Sequence, residues 1–119
     1  MDCKLSREME NNEMATNKEN WTAIKPKVYE EIARVIEGCA IYEPNDSVTW
    51  NRVNVVVNNL ISEYSEFLSA WNVICNETVN TQEVVEKNQF HLKFCWKIDP
   101  NDEWSVAEFV LTPYGIEVK

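Results

Sequence analysis

The sequence predicts an α+β fold in which two N-terminal helices, one of them long, pack on a small C-terminal antiparallel β-sheet. Apolar residues recur at helical spacing over about residues 24–36 and again over about 48–76. Over residues 90–98 they instead alternate with polar residues, which is the period of a strand with one buried face. Helices followed by strands are typical of α+β domains, and 119 residues of 45% apolar content suffice for one core.

The first 19 residues are polar, rich in Asn and Glu, and without apolar period. We expect residues 1–19 to form a disordered tail before a single α+β domain over residues 20–119. No stretch has the length and apolar content of a signal peptide or a membrane span. We therefore expect a cytoplasmic protein that keeps its four Cys as thiols.

The first predicted helix carries its apolar residues between Ile24 and Ile36. Thr22 is placed to cap the N-terminus, and Pro26 is tolerated in a first turn. Gly38 stands where helices commonly end on a left-handed residue.

The second predicted helix follows a turn cluster that ends in Asp46 or Ser47, either of which suits an N-cap. From Val53 to Cys75 the apolar residues stay on one side of a helical wheel, while Asn and Ser stay on the other. This pattern predicts one helix over about residues 48–76, roughly 43 Å long at 1.5 Å per residue.

Local propensity opposes so long a helix, because Val, Asn and Ser are mediocre helix formers. The alternative is a break near Ser62 to Ser65, with a strand after Trp71.

The predicted sheet occupies the end of the chain. Residues 77–87 form a connection with room for a short helical turn. Residues 90–98 form a strand, and 99–102 suit a type I turn because Asp precedes Pro there. Residues 104–111 are apolar on both faces, which predicts a central strand. After a second turn, residues 116–119 add a short third strand.

The net charge of −9 and the pI near 4.6 argue against direct binding of nucleic acid or of anionic membranes, which need clustered Lys and Arg. The acidic charge concentrates between residues 42 and 86, where Arg52 is the only cation. A solvated surface explains it, and so does a docking surface for a basic partner. The seven acidic residues of this segment are Glu43, Asp46, Glu63, Glu66, Glu77, Glu83 and Glu86.

The sequence lacks the residues that most metal-binding and catalytic sites require. The chain has one His, two Gly and no closely spaced Cys pair, which disfavours metal centres, catalytic triads and phosphate cradles. We expect no cofactor and no metal.

One group of reactive side chains remains on the first predicted strand. Successive residues on one face of a strand lie roughly 6.5–7 Å apart, so two ammonium groups would flank a thiol and lower its pKa. The solvent-exposed face of a half-buried sheet explains the same residues without any reactive role. The group consists of His91, Lys93, Cys95 and Lys97.

The uncharged side of the second helix is a candidate contact surface, since an exposed helical face normally carries Glu and Lys. Small polar residues suit close contact with another helix or with a second copy of the chain; an Asn-rich composition explains them equally. Glu63 and Glu66 add charge at its flank, and Trp50 is an aromatic that either anchors a partner or staples the helix end. The uncharged side continues through Ser69, Asn72 and Asn76, and its residues predicted to contact a partner, which we call the polar stripe, are Asn51, Asn54, Asn58, Ser62 and Ser65.

These observations predict a small, acidic, non-enzymatic module that binds another protein, with inhibition of a basic, nucleic-acid-binding partner as its role. The first alternative is a structural subunit that self-associates, most simply as a two-fold dimer, because the long helix would overhang the sheet. The second alternative is a thiol-dependent enzyme that uses Cys95.

Overall fold

The computed structural model describes the backbone of residues 3–119 and the side chains of residues 18–119. Within these residues, helices precede a four-stranded antiparallel sheet, which confirms the predicted α+β fold. The predicted tail falls almost wholly outside the described side chains and stays a prediction. In chain order the elements are α1 (Cys3–Ala40), α2 (Ser47–Ser62), a 3₁₀ turn (Ser65–Phe67), β1 (Ala70–Ile74), α3 (Gln82–Glu86), β2 (Phe90–Lys97), β3 (Ser105–Thr112) and β4 (Gly115–Val118).

The predicted start of the first helix is wrong. Thr22 does not cap α1 but lies inside it, where its Oγ1 donates to the Lys18 carbonyl at 2.9 Å. Pro26 therefore lies in the helix interior. Residues 18–20 are exposed, so they are helical without carrying an apolar period that a sequence pattern can detect.

The predicted end of this helix is also wrong. Helix α1 continues through Gly38 to Ala40, and the left-handed residue is Tyr42, with φ of 63°. The helical hydrogen bonding continues to Ile41, whose N–H donates to the Glu37 carbonyl at 3.2 Å. Gly38 thus adopts helical geometry like its neighbours.

Helix α2 begins where predicted, because the Asp46 side chain accepts hydrogen bonds from the N–H groups of Val48 and Thr49. It ends at Ser62, so the predicted single helix over residues 48–76 is wrong. The alternative of a break between Ser62 and Ser65 is confirmed, with the strand beginning at Ala70. Residues four positions apart lie on the same face of a helix and also on the same face of a strand. The helical wheel therefore could not distinguish the end of α2 from the start of β1.

The sheet is a meander of order β1-β2-β3-β4, with one more strand than predicted. The added strand, β1, pairs with β2 and places Trp71 opposite Trp96. Strand β2 alternates buried and half-buried residues as predicted, and β3 lies inside the sheet. The turn at residues 99–102 closes through the Asp102 N–H, which donates to the Asp99 carbonyl at 2.9 Å.

The core lies between the two long helices and one face of the sheet. Trp21 of α1 packs against Phe94 and Trp96 of β2, with ring centroids 6.2 and 5.8 Å apart. Tyr29 contacts Phe109 of β3 at 5.4 Å. No helix within the described range offers an apolar stretch long enough to span a membrane.

Candidate functional site

The polar stripe is not one free surface. Asn54 turns toward the sheet, where its Nδ2 donates to the Cys75 carbonyl at 2.7 Å. The Nδ2 of Asn58 donates to the Asn54 carbonyl, also at 2.7 Å. Asn51, Ser62 and Ser65 are exposed. Three of the five stripe residues therefore bond within the chain, since the Ser62 Oγ also donates to the Asn59 carbonyl, at 2.7 Å.

Glu63 and Glu66 lie exposed after the end of α2, next to the middle of α1. Between them, the Tyr64 hydroxyl donates to Glu31 Oε2 of α1 at 3.0 Å. Burial raises the pKa of Tyr64, and the Glu31 hydrogen bond and the charges of Glu31 and Glu63 raise it further. Glu31 could not be recognised from the sequence, because no local pattern links it to residues that follow more than thirty positions later. We call Glu31, Glu63 and Glu66 the acidic patch.

Trp50 staples the start of α2 to the start of β2. Its Nε1 donates to Asn45 Oδ1 at 2.5 Å, and Asn45 Nδ2 donates to the Gln89 carbonyl at 2.7 Å. The indole is half-buried and packs against the core. Of the two roles that the sequence left open for Trp50, these contacts favour the staple.

This bridge forms one wall of a cleft at the C-terminal end of α1, which we call the α1 cleft. It encloses about 520 Å³ and is bordered by the end of α1, helix α3 and the adjoining ends of β2 and β3. Its lining combines apolar and polar side chains in similar proportion, and Ile41 and Tyr42 at its rim are 47% and 98% exposed. The lining residues are Ala40, Ile41, Tyr42, Glu43, Asn45, Val85, Asn88, Gln89, Phe90, Leu111, Thr112 and Pro113.

The electrostatics of the α1 cleft favour a cation. Among the described residues that line it, Glu43 alone is charged. The nearby Lys87 is occupied, since its Nζ lies 2.9 Å from Glu83 Oε1 and this contact lowers the pKa of Glu83. The C-terminal end of α1 adds the negative end of a helix dipole, with no basic residue in its last turn.

Two lining residues of the α1 cleft have unusual backbone geometry. Tyr42 and Asn88 both have left-handed φ angles, of 63° and 58°. Asn tolerates this conformation, whereas a residue as bulky as Tyr rarely adopts it and is strained by about 1–2 kcal/mol. Strained residues of this kind cluster at binding sites. Neither the cleft nor this strain had a signal in the sequence.

The predicted reactive group does lie together on the face of the sheet that points away from α1 and α2. His91, however, turns its Nδ1 to Glu108 Oε1 and its Nε2 to Gln89 Oε1, both at 3.0 Å. Lys97 places its Nζ over the ring of Trp104, 5.0 Å from the centroid. The His91 imidazole and the Lys97 ammonium group therefore contact residues other than Cys95.

The Cys95 thiol is not activated by this arrangement. Burial raises its pKa, and the charge of Lys93 opposes that effect only in part. Lys93 does lower the pKa of Cys95, but burial raises it by more, so the hypothesis of a thiol activated by its flanking Lys residues is not supported. Among the side chains that the structure describes, no three His, Cys, Asp or Glu residues are grouped to hold a metal ion.

No protein-family model, curated protein or solved structure matches this chain.

Proposed function

We propose that this protein is a non-enzymatic binding module that docks on a basic partner protein and competes with nucleic acid for the partner's basic surface. The observation that carries the proposal is the acidic patch on a chain of net charge −9. Glu31 and Glu63 act together on the Tyr64 hydroxyl, and Glu66 lies exposed one turn away.

Such a surface acts first through its field. Acidic groups attract a basic partner over a distance of about 10 Å at 0.1 M salt and speed its association. Lys and Arg residues that bind phosphates on nucleic acid meet carboxylates equally well. Occupation of those residues by the acidic patch would exclude nucleic acid from the partner.

Affinity capture from the native host tests this proposal. The immobilised protein should retain a basic protein at 50 mM salt, lose most of it at 300 mM, and release it to added duplex DNA or RNA. The double variant Glu63→Lys, Glu66→Lys should weaken capture by about tenfold or more, because each change reverses a charge.

A matched variant separates the patch from the total charge. Glu77→Lys with Glu103→Lys changes the net charge equally at exposed positions outside the patch. It should retain most of the capture. Capture that ignores salt, or that survives the Glu63 and Glu66 reversals, would refute the proposal.

Self-association is a second candidate, favoured by the outer face of the sheet. Trp104 and Val106 are 48% and 53% exposed on this face, next to the half-buried Cys95. The dimer predicted from the sequence depended on a long overhanging second helix, and α2 of 16 residues removes that basis. Exposed apolar residues on an open sheet are an independent reason for association.

Light scattering over a concentration series distinguishes the candidates. A dimer held by the sheet should dissociate in Val106→Lys, while a monomer at all concentrations eliminates this candidate. The thiol-enzyme hypothesis has no comparable support, since burial raises the pKa of Cys95.

A further inference from the structure

The α1 cleft has the size and lining of a site for a side chain. Its volume of about 520 Å³ lies within the roughly 300–1,000 Å³ range of ligand sites. Val85, Phe90 and Leu111 supply apolar walls from three different elements. An aliphatic or aromatic group would displace water from these walls.

The charge at the α1 cleft favours basic groups beside that apolar group. Glu43 has no cation beside it in the described lining, and α1 ends its dipole there. An ammonium or guanidinium group is the natural partner of such a carboxylate.

The rim of the α1 cleft has the composition of a protein-binding surface. Tyr42 is 98% exposed, and Tyr114, in the turn that follows Pro113 of the lining, is 99% exposed. Tyr is enriched among the residues that dominate binding energy at interfaces. Tyr42 keeps a strained backbone without any burial in return, as expected of a residue whose contacts lie on a partner.

From these observations we infer that the α1 cleft binds an apolar side chain flanked by Lys or Arg, in a segment of a partner protein. This inference rests on the proposed function for the nature of the partner, and it adds an anchoring site to the acidic patch. The apolar side chain enters between Val85, Phe90 and Leu111, and the flanking cation meets Glu43.

Titration of the ¹⁵N-labelled full chain with three short peptides tests the inference. The probe is Ac-Gly-Arg-Leu-Arg-Gly-NH₂, and the controls replace Leu with Ser or both Arg with Glu. The probe should shift amide signals of residues 40–43, 45, 85–90 and 111–112, and both controls should shift them at least about fivefold less at equal concentration.

Two variants make the result decisive. Glu43→Lys should weaken the probe by about tenfold, because it reverses the charge at the mouth of the cleft. Tyr42→Gly should raise the melting temperature by relieving the left-handed strain, yet weaken the probe by removing the exposed ring. A purely structural Tyr42 would give the gain in melting temperature with unchanged binding, which would overturn the inference, as would probe shifts outside the cleft.

The outcomes of the peptide titration and of the affinity capture are independent of each other. Probe binding at the cleft without salt-sensitive capture would retain the site and reject the basic partner as its occupant in the host. Salt-sensitive capture without probe binding would retain the acidic patch and reject the cleft.

Discussion

The Asn80 side chain makes the two hydrogen bonds that a further residue of strand β1 would make with β2. Strand β1 ends with Ile74 opposite Lys93, so His91 lies beyond its last paired residue. The Asn80 side chain replaces that partner: Nδ2 donates to the His91 carbonyl and Oδ1 accepts from the His91 N–H, both at 2.8 Å. Because Asn80 is 2% exposed, water cannot easily take over either bond.

Asn80→Ala should therefore lower the free energy of unfolding by about 2–3 kcal/mol, since it leaves two backbone groups without partners. Urea denaturation measures the change. Asn59→Ala, at an exposed position of α2, is the control and should change stability by less than about 0.5 kcal/mol. Equal effects would show that the Asn80 bonds contribute little.

Cys95 should react slowly with iodoacetamide at neutral pH. Only the thiolate attacks, and burial raises the pKa of this thiol, so the thiolate fraction at pH 7 is lower than in a free thiol. The alkylation rate should rise with pH to a midpoint above that of a small-molecule thiol, as followed by peptide mass spectrometry.

The charge of Lys93 provides an internal check on Cys95. Lys93 lowers the pKa, so Lys93→Gln should move the alkylation midpoint to still higher pH. Fast alkylation near pH 7, or no response to Lys93→Gln, would contradict this account.

At the scale of elements, Gly38 distinguishes the observed end of α1 from the predicted one, and Gly115 in the last turn of the sheet provides the comparison. Gly38 lies inside the helix, and a methyl group there would meet nothing within 4 Å. Gly115 has φ of 135°, which side chains rarely adopt. The same substitution should therefore have opposite effects at the two positions.

Gly38→Ala should raise the free energy of unfolding by about 0.5–1 kcal/mol, because Ala is the better helix former. Gly115→Ala should lower it by about 1 kcal/mol or more through backbone strain. Thermal and urea unfolding of both variants check the pair. A loss of stability in Gly38→Ala would support the left-handed helix end that the sequence suggested.

The elements differ in how far a sequence pattern determines them. Strand β2 was predictable because its alternation and the turn after it are both local. Strand β1 appeared only in the alternative prediction, because Trp71 and Cys75 are four positions apart and fit a helical stripe until pairing with β2 is known. Its edge position comes from pairing with β2 residues that lie 19 to 27 positions away.

At the scale of the whole molecule, the charge was predictable and the sites were not. Composition alone gives the net charge of −9, and Glu63 and Glu66 were recognised as exposed acids. Glu31 joins them only through the packing of α1 beside the end of α2. The α1 cleft combines segments from the end of α1, from α3 and from two strands, so no single stretch of sequence contains its outline.

The meander order of the sheet also has a kinetic consequence. Each strand pairs with its neighbour in the chain, so no long crossover must close before pairing begins, and a rapid folding nucleus can form at the β2–β3 hairpin. The segment over residues 75–89 is the longest connection in the sheet and should close late. Asn80 attaches that segment to β2 through its two hydrogen bonds with His91. These bonds should form after the rate-limiting barrier, so they should stabilise the fold mainly by slowing unfolding.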